Sequence, residues 1–206
     1  MKRAIPLALA VSAFGASFGT LAVDAGMTAP MSILMSALVF AGSAQYAAVE
    51  IASAGAGTIG ILTSVALLNA RYLPVGIALS PAIRGRLPSR LILAHLVVDE
   101  TWAVSFEDGE PQTPLFVGSG LTILVAWVVG TGIGSYAGDV IDPKVFGFDV
   151  AFPAVFLGYL ARRSWNTRAL LATATGVGAF ALTTTVPAGM TMLIAGLAGL
   201  IVGMTR

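Results

Sequence analysis

The sequence predicts an all-α polytopic membrane protein with about seven or eight transmembrane helices, some of them broken or re-entrant. Of its 206 residues, 57% are hydrophobic and only 10% are charged, and its mean hydropathy is +0.90. Soluble domains carry roughly 25% charged residues, so this chain lacks the polar side chains to cover a water-exposed surface. Residues 4–23 and 25–49 contain no charged side chain. Each run reaches the ~20 residues that cross the hydrocarbon core of a bilayer.

Eight hydrophobic segments follow one another with only short connections between them. The connections leave no room for a soluble domain, so residues 1–206 are interpreted as one transmembrane domain. The fourth segment is short and polar, and the third contains a helix breaker, Pro74. The segments are residues 4–23, 30–54, 58–83, 91–106, 114–137, 145–161, 169–186 and 188–205.

The positive charges outside these segments bear on the topology, because cytoplasmic loops carry an excess of Lys and Arg. Strict alternation of eight spans places three of the four basic clusters inside and leaves 84–90 outside. Placing all four inside requires 58–83 to be re-entrant, folding back at Asn69–Pro74. We expect strict alternation with both termini inside. The clusters are Lys2/Arg3, Arg84/Arg86/Arg90, Arg162/Arg163/Arg168 and Arg206.

Glycines spaced four residues apart mark helix faces that let neighbouring backbones approach closely in lipid. Gly15 and Gly19 form one such face, and Gly130, Gly134 and Gly138 form another. The spacing predicts close helix packing along both faces.

A short internal similarity raises the possibility of a repeat. Residues 19–24 and 134–139 are alike, and each stretch closes an apolar segment with an aspartate. Repeats in transporters create a central site at the repeat interface, often lined by broken helices.

Composition excludes several functions. The chain has no cysteine, which rules out disulfides, thiolate metal sites and thiol catalysis, and a single histidine, His95, makes a metal site improbable. We expect no cofactor and no enzymatic activity, since no nucleophile or metal constellation occurs. The net charge of +1 indicates no nucleic-acid partner, and the absence of a P-loop pattern gives no support for direct ATP use.

Arg71 is the most informative residue, because 58–83 contains no other charge. Burying a guanidinium at membrane depth costs about 3 kcal/mol on insertion scales. A chain tolerates this cost where the charge faces a protein-lined cavity and meets a counter-ion or a ligand. Arg71 can offer a bidentate fork to a carboxylate ligand. The alternative is a structural ion pair with Asp99 or Glu100.

Three further polar clusters lie within or against the hydrophobic segments. They are Phe40–Tyr46, Val98–Trp102 and Phe148–Pro153. His95 precedes Asp99 by four residues, which places both on one face if the helix is continuous.

These clusters, in this order, resemble the AzlC/YgaZ family, the large subunit of branched-chain amino acid exporters. The resemblance covers nearly the whole chain, and five short motifs in the right order are specific. Tyr72 departs from the pattern, since the family usually has histidine after the arginine. A proton-carrying histidine therefore cannot be transferred to that position. The matching stretches are Phe40–Tyr46, Asn69–Arg71, Asp99–Trp102, Trp127–Gly134 and Phe148–Phe156.

The resemblance implies secondary export of valine, leucine or isoleucine, and sometimes methionine, driven by an ion gradient. It also implies a small membrane partner of the AzlD/YgaH type and a multi-pass location in the cell membrane of a prokaryote. A permease or channel for another small zwitterionic or neutral solute is the alternative.

A zwitterionic substrate needs one group for its carboxylate, one for its ammonium and an apolar pocket for its side chain. We expect Asp99, Glu100 and Asp149 to take part in ion coupling, with Asp99 facing the cavity. Structural hydrogen bonds across helices are an alternative role for Ser43 and Gln45. The candidate substrate-binding residues are Arg71, Asn69, Gln45, Ser43, Gly42 and Tyr72.

Overall fold

The computed structural model describes residues 4–137 and the isolated positions 167, 170, 171, 174, 175, 178 and 181. The described part is helical apart from one small antiparallel hairpin, β1 (Phe106–Glu107) with β2 (Glu110–Pro111). The predicted helical class is confirmed, whereas the number of spans and the repeat stay predictions. The helices are α1 (Ala4–Asp24), α2 (Ala29–Val39), α3 (Gly42–Ser53), α4 (Thr58–Asn69), α5 (Tyr72–Leu79), α6 (Leu87–Ala94), α7 (Asp99–Val104) and α8 (Thr113–Ala137), with a 3₁₀ turn at Ser80–Ala82.

Two of the described helices are long and apolar enough to cross a membrane as single pieces. They are α1, over Leu7–Asp24, and α8, over Thr113–Ala137. Their bounds agree with the predicted segments 4–23 and 114–137. At 1.5 Å per residue, the 25 residues of α8 extend about 37 Å, which exceeds the hydrocarbon thickness of a bilayer.

Glycines bring α1 and α8 into backbone contact, as the four-residue spacing predicted. A Cβ added to Gly130 or Gly134 would collide with the backbone oxygens of Ser12 and Ala16. On the other side of the contact, a Cβ on Gly15 would collide with the carbonyl oxygen of Trp127. Such close approach maximises van der Waals contact, which drives helix association where lipid removes the hydrophobic difference.

The same contacts show that α1 and α8 run parallel. Gly15 meets Trp127, and Gly19 meets Thr131, so residue numbers rise in the same direction along both helices. Parallel spans require an odd number of crossings between them. Three crossings by 30–54, 58–83 and 91–106 satisfy this, whereas making 58–83 alone re-entrant does not. The parallel pair therefore favours strict alternation, which stays a prediction.

Segment 30–54 is not one continuous helix. It divides into α2 and α3 at Phe40, which adopts the left-handed conformation (φ 42°), and Ala41 (φ −141°, ψ 82°). A left-handed aromatic residue is uncommon and needs support from its surroundings. Phe40 has that support, because its side chain is only 5% exposed.

Segment 58–83 is bent by 40° between α4 and the α5 region. The break falls at Ala70–Arg71 rather than at Pro74. Pro74 lies in the first turn of α5, where its missing N–H would have no helical partner anyway. Arg71 therefore lies at the bend itself.

Segment 91–106 also differs from the prediction of one short helix. It starts earlier, at Leu87, and separates into α6 and α7 around extended Val98 (φ −137°, ψ 167°). The prediction that His95 and Asp99 share a helix face is wrong, because no helix runs through both. His95 Nε2 instead lies 2.9 Å from the Ala37 carbonyl oxygen.

Candidate functional site

The three helix breaks lie around one cavity of about 530 Å³. This volume falls within the ~300–1,000 Å³ of small-molecule sites. Ser43 in the first turn of α3, Tyr72 at the start of α5 and Asp99 at the start of α7 all line it. Helices broken at a central cavity are typical of secondary transporters, because the interrupted backbone can face a solute there.

Arg71 and Asp99 form an ion pair at this cavity. Arg71 Nη1 lies 3.2 Å from Asp99 Oδ2, and the two side chains are 27% and 25% exposed. The ion pair that the sequence offered as one alternative is confirmed. Because about a quarter of each side chain is accessible, the pair is also open to a ligand in the cavity.

The second terminal nitrogen of Arg71 has two neutral partners. Arg71 Nη2 donates to Ser43 Oγ at 2.7 Å and to the Tyr72 hydroxyl at 3.1 Å. The guanidinium also lies 5.0 Å from the centre of the Tyr72 ring, within cation–π range. These contacts hold the guanidinium between α3, α5 and α7, with its charge directed at the site.

Carboxylates outnumber the cation in the cavity wall. Asp99, Glu100 and Glu50 all line the cavity, and Arg71 is the one basic residue among the described residues that do so. Glu50 is exposed, whereas Glu100 is partly buried. With Arg71 paired to Asp99, Glu100 is a further carboxyl group at the cavity with no second cation among the described lining residues.

The remaining wall is mainly apolar and aromatic, with Trp127 against the start of α3. A Cβ on Gly42 would lie 3.0 Å from Trp127 Cη2, so the indole packs directly against that glycine. Trp127 also stacks on Phe18, with ring centroids 5.9 Å apart. The apolar part of the cavity is lined by Val11, Phe14, Leu68, Ile123 and Trp127.

Gln45 lies behind this wall rather than in it. Its side chain is fully buried; its Oε1 accepts the Trp127 indole N–H at 2.9 Å, and its Nε2 donates to Ser36 Oγ at 3.1 Å. Ser36 in turn hydrogen-bonds Thr131 at 2.8 Å. These bonds form a polar seam between α2, α3 and α8, and through Trp127 they fix one wall of the cavity.

Asn69 lines a different cavity, and its Oδ1 is buried without a hydrogen-bond partner among the described residues. Tyr72 lines both cavities. Asp149, the third predicted coupling carboxylate, lies outside the described residues. Within the part of the chain that the structure describes, no group of three His, Cys, Asp or Glu side chains is placed to hold a metal ion.

Trp127 and Glu50 line the cavity but were not among the predicted site residues. Trp127 belongs to the Trp127–Gly134 motif, yet nothing in the sequence shows that the indole would meet Gly42 across two helices. Glu50 lies four residues beyond the Phe40–Tyr46 cluster in the same predicted segment. Its position two turns after Gly42 on α3 is the signal that places it near the same site.

The fold and the site together define a helical membrane protein with a charged, solute-sized cavity between broken helices. The chain belongs to the AzlC family: the family model, described as AzlC protein, matches residues 6–141. This is a transport family, and the resemblance found in the sequence is confirmed.

Several curated proteins are similar to the chain. The branched-chain amino acid transport protein AzlC of Bacillus subtilis is 25% identical over 84% of this chain and 70% of its own length. The inner membrane protein YgaZ of Escherichia coli is 24% identical over 98% and 85%. An uncharacterized membrane protein of Archaeoglobus fulgidus is 29% identical over 77% and 73%. No solved structure shows a significant match.

Proposed function

We propose that this chain is a secondary transporter that exports branched-chain amino acids across a prokaryotic cell membrane, together with a small AzlD-type subunit. The observation that carries the proposal is the Arg71–Asp99 ion pair, held at 3.2 Å in the wall of a 530 Å³ cavity. The similarity to the branched-chain amino acid transport protein of Bacillus subtilis supports the choice of substrate class.

A zwitterion fits the ion pair because it carries both complementary charges. Its carboxylate binds the Arg71 fork and its ammonium binds Asp99, so one ion pair is exchanged for two. The net charge of the cavity does not change, and neither protein charge is left buried without a partner, which would cost several kcal/mol. Ser43 and Tyr72, which now accept from Arg71, can orient the substrate carboxylate or return to the guanidinium.

Glu100 is the group that couples transport to an ion gradient in this scheme. It adds a negative charge that the zwitterion does not neutralise, so a proton or another small cation is needed to balance it. Loading and release of that cation would change the net charge of the cavity at each step of the cycle. Asp149 remains a candidate for a second coupling carboxylate.

The apolar wall selects the substrate's side chain, and Gly42 sets the depth of the pocket that receives this side chain. We expect Gly42→Ala to shift preference from leucine towards valine, because the added Cβ would lie 3.0 Å from Trp127 Cη2 and would push the indole that forms this wall of the pocket. One methylene is worth about 1–3 kcal/mol in a hydrophobic pocket, so the ratio of the two transport efficiencies should change about tenfold or more. Competition between labelled leucine and valine measures this ratio.

Gly60→Ala is the matched control, since its nearest contact outside the helix is an ordinary 3.8 Å approach to Ala56. It should leave the ratio unchanged. An unchanged ratio in Gly42→Ala at normal protein abundance would contradict the assignment of Gly42 to the side-chain pocket.

The function itself is tested by efflux of preloaded labelled leucine and valine from cells, with and without the small subunit. Efflux that requires this chain and the subunit, and that shows counterflow, supports an exporter acting by alternating access. Flux without counterflow would identify a passive channel instead. Absence of any flux, with both proteins folded in the membrane, would remove branched-chain amino acids as substrates.

A further inference from the structure

The indole of Trp127 forms one wall of the 530 Å³ cavity that contains Arg71 (the first cavity), and its orientation decides how much room that wall leaves. The six-membered ring of the indole faces Gly42, where a Cβ would lie only 3.0 Å from Cη2. The indole also stacks on Phe18 with an interplanar angle of 22°. Stacking fixes the plane of a ring but leaves it free to slide or turn within that plane. A directional bond is needed to remove this remaining freedom.

Gln45 supplies that bond from behind the wall. The indole Nε1–H donates to Gln45 Oε1 at 2.9 Å, and Gln45 Nε2 donates to Ser36 Oγ at 3.1 Å. The orientation of the amide is fixed, because an indole nitrogen can only donate and must therefore face the amide oxygen. The side chain of Gln45 is fully buried, so solvent does not compete for either bond.

The bonds continue round a closed ring that returns to Trp127. The Thr131 hydroxyl donates to the Trp127 backbone carbonyl at 2.9 Å, so the 2.8 Å bond between Ser36 and Thr131 takes its proton from Ser36. Ser36 is free to donate there because it accepts from Gln45. The four bonds therefore run in one direction, from the Trp127 indole to the Trp127 carbonyl. A buried network paired in this way holds its members rigidly.

We infer that Gln45 is a positioning residue for substrate selectivity, which acts by holding the Trp127 indole in the wall of the side-chain pocket. The inference rests on the proposed function. Gln45 lines neither the first cavity nor the 550 Å³ cavity that Asn69 lines, so it acts on the substrate through the indole. It sets how far the indole projects beside Gly42, and thereby how long an aliphatic side chain the pocket accepts.

Gln45→Met tests the inference, because methionine keeps the length of the side chain and its thioether is only a weak acceptor for the indole N–H. We expect the ratio of leucine to valine counterflow, measured in proteoliposomes with the small subunit, to change about fivefold, as for the loss of one neutral hydrogen bond. Both amino acids are carried by the same protein molecules, so the ratio does not depend on how much of the protein folds. Thr131→Val, which opens the ring at its other end, should change the ratio in the same direction.

Gln112→Met is the matched control, since Gln112 lines neither cavity. It should leave the ratio unchanged. Trp127→Phe separates positioning from a general effect on the fold. Phenylalanine keeps an aromatic ring and lacks the N–H, so Gln45→Met should change the ratio no further in this background. An equal change in both backgrounds would overturn the inference, as would an unchanged ratio in Gln45→Met alone.

The fluorescence of Trp127 gives a readout that does not require transport. It is obtained as the difference between the emission spectra of purified proteins with and without Trp127→Phe. We expect Gln45→Met to shift this emission to shorter wavelength, because the indole N–H loses its acceptor, and Gln112→Met to leave it in place. The absence of a shift in Gln45→Met would overturn the positioning role. If the wild type transports neither amino acid, the proposed function fails and the effect on selectivity with it, whereas the emission shift still decides whether Gln45 holds the indole.

Discussion

Arg71→Gln is expected to abolish transport, with a loss of about a hundredfold or more. The substitution removes the only cation among the described residues of the first cavity and leaves Asp99 and Glu100 without a counter-ion. Removing one partner of a fully buried pair costs about 3–5 kcal/mol. The cost is smaller for this pair, whose side chains are 27% and 25% exposed, but the substrate carboxylate loses its bidentate partner as well. Leucine counterflow, measured at matched membrane abundance, checks the result. Arg84→Gln, an exposed arginine outside both cavities, is the control.

The double variant Arg71→Gln/Asp99→Asn separates the two roles of the pair. It replaces both charges by neutral amides of similar shape, so a pair that serves only to join helices should be replaced at little cost. We expect the double variant to recover stability relative to Arg71→Gln and still to lack counterflow. Near wild-type counterflow in the double variant would reduce Arg71 to a structural residue.

Gly134→Ala is expected to destabilise the protein by about 3 kcal/mol or more, because the contact between α1 and α8 cannot yield. The added Cβ would collide with the backbone of Ala16, and backbone cannot move aside as a flexible side chain can. The midpoint of thermal unfolding in detergent and the yield of monodisperse protein measure the effect.

Gly118→Ala provides the opposite result on the same helix. A Cβ at Gly118 meets no atom within 4 Å, so the substitution adds only the better helix propensity of alanine, worth about 1 kcal/mol. We expect a neutral or slightly raised midpoint. A Gly134→Ala variant as stable as Gly118→Ala would contradict the close parallel packing of α1 and α8.

The uninterrupted spans were predictable because lipid imposes a simple length requirement. Residues 4–23 and 114–137 contain no charged side chain, and the observed α1 and α8 agree with them closely. The glycine spacing also predicted close packing, since only small residues let two backbones touch. The spacing could not identify which helix packs against each glycine face, because helix pairing depends on how the rest of the chain folds.

The helix breaks were harder to place, since tertiary contacts rather than local sequence decide them. Nothing at Phe40 signals a left-handed residue, and the strongest local signal, Pro74, lies inside α5 rather than at a break. The wrong prediction for His95 has the same origin. Two residues four apart share a helix face only if one helix runs through both, and the break at Val98 interrupts the helix between His95 and Asp99.

The candidate site was predicted in part. Opposite charges within membrane segments are stabilised by pairing. One of the two predicted roles of Arg71 was an ion pair with Asp99 or Glu100, and the pair with Asp99 is observed. The position of Gln45 depended on the Trp127 indole, whose N–H reaches Gln45 across 82 residues of sequence. Asn69 was predicted to share the site of Arg71 and instead lines the neighbouring cavity. Asn69 ends α4, whereas Arg71 lies in the 40° bend that follows.

Binding of leucine and of its two half-ligands to the purified protein tests the central claim most directly. 4-Methylpentanoate keeps the carboxylate and lacks the ammonium, and 3-methylbutylamine keeps the amine and lacks the carboxylate. If the zwitterion inserts between Arg71 and Asp99, both half-ligands should bind at least about a hundredfold more weakly than leucine, since each leaves one charge of the pair without a partner. A half-ligand that binds as tightly as leucine would contradict the insertion.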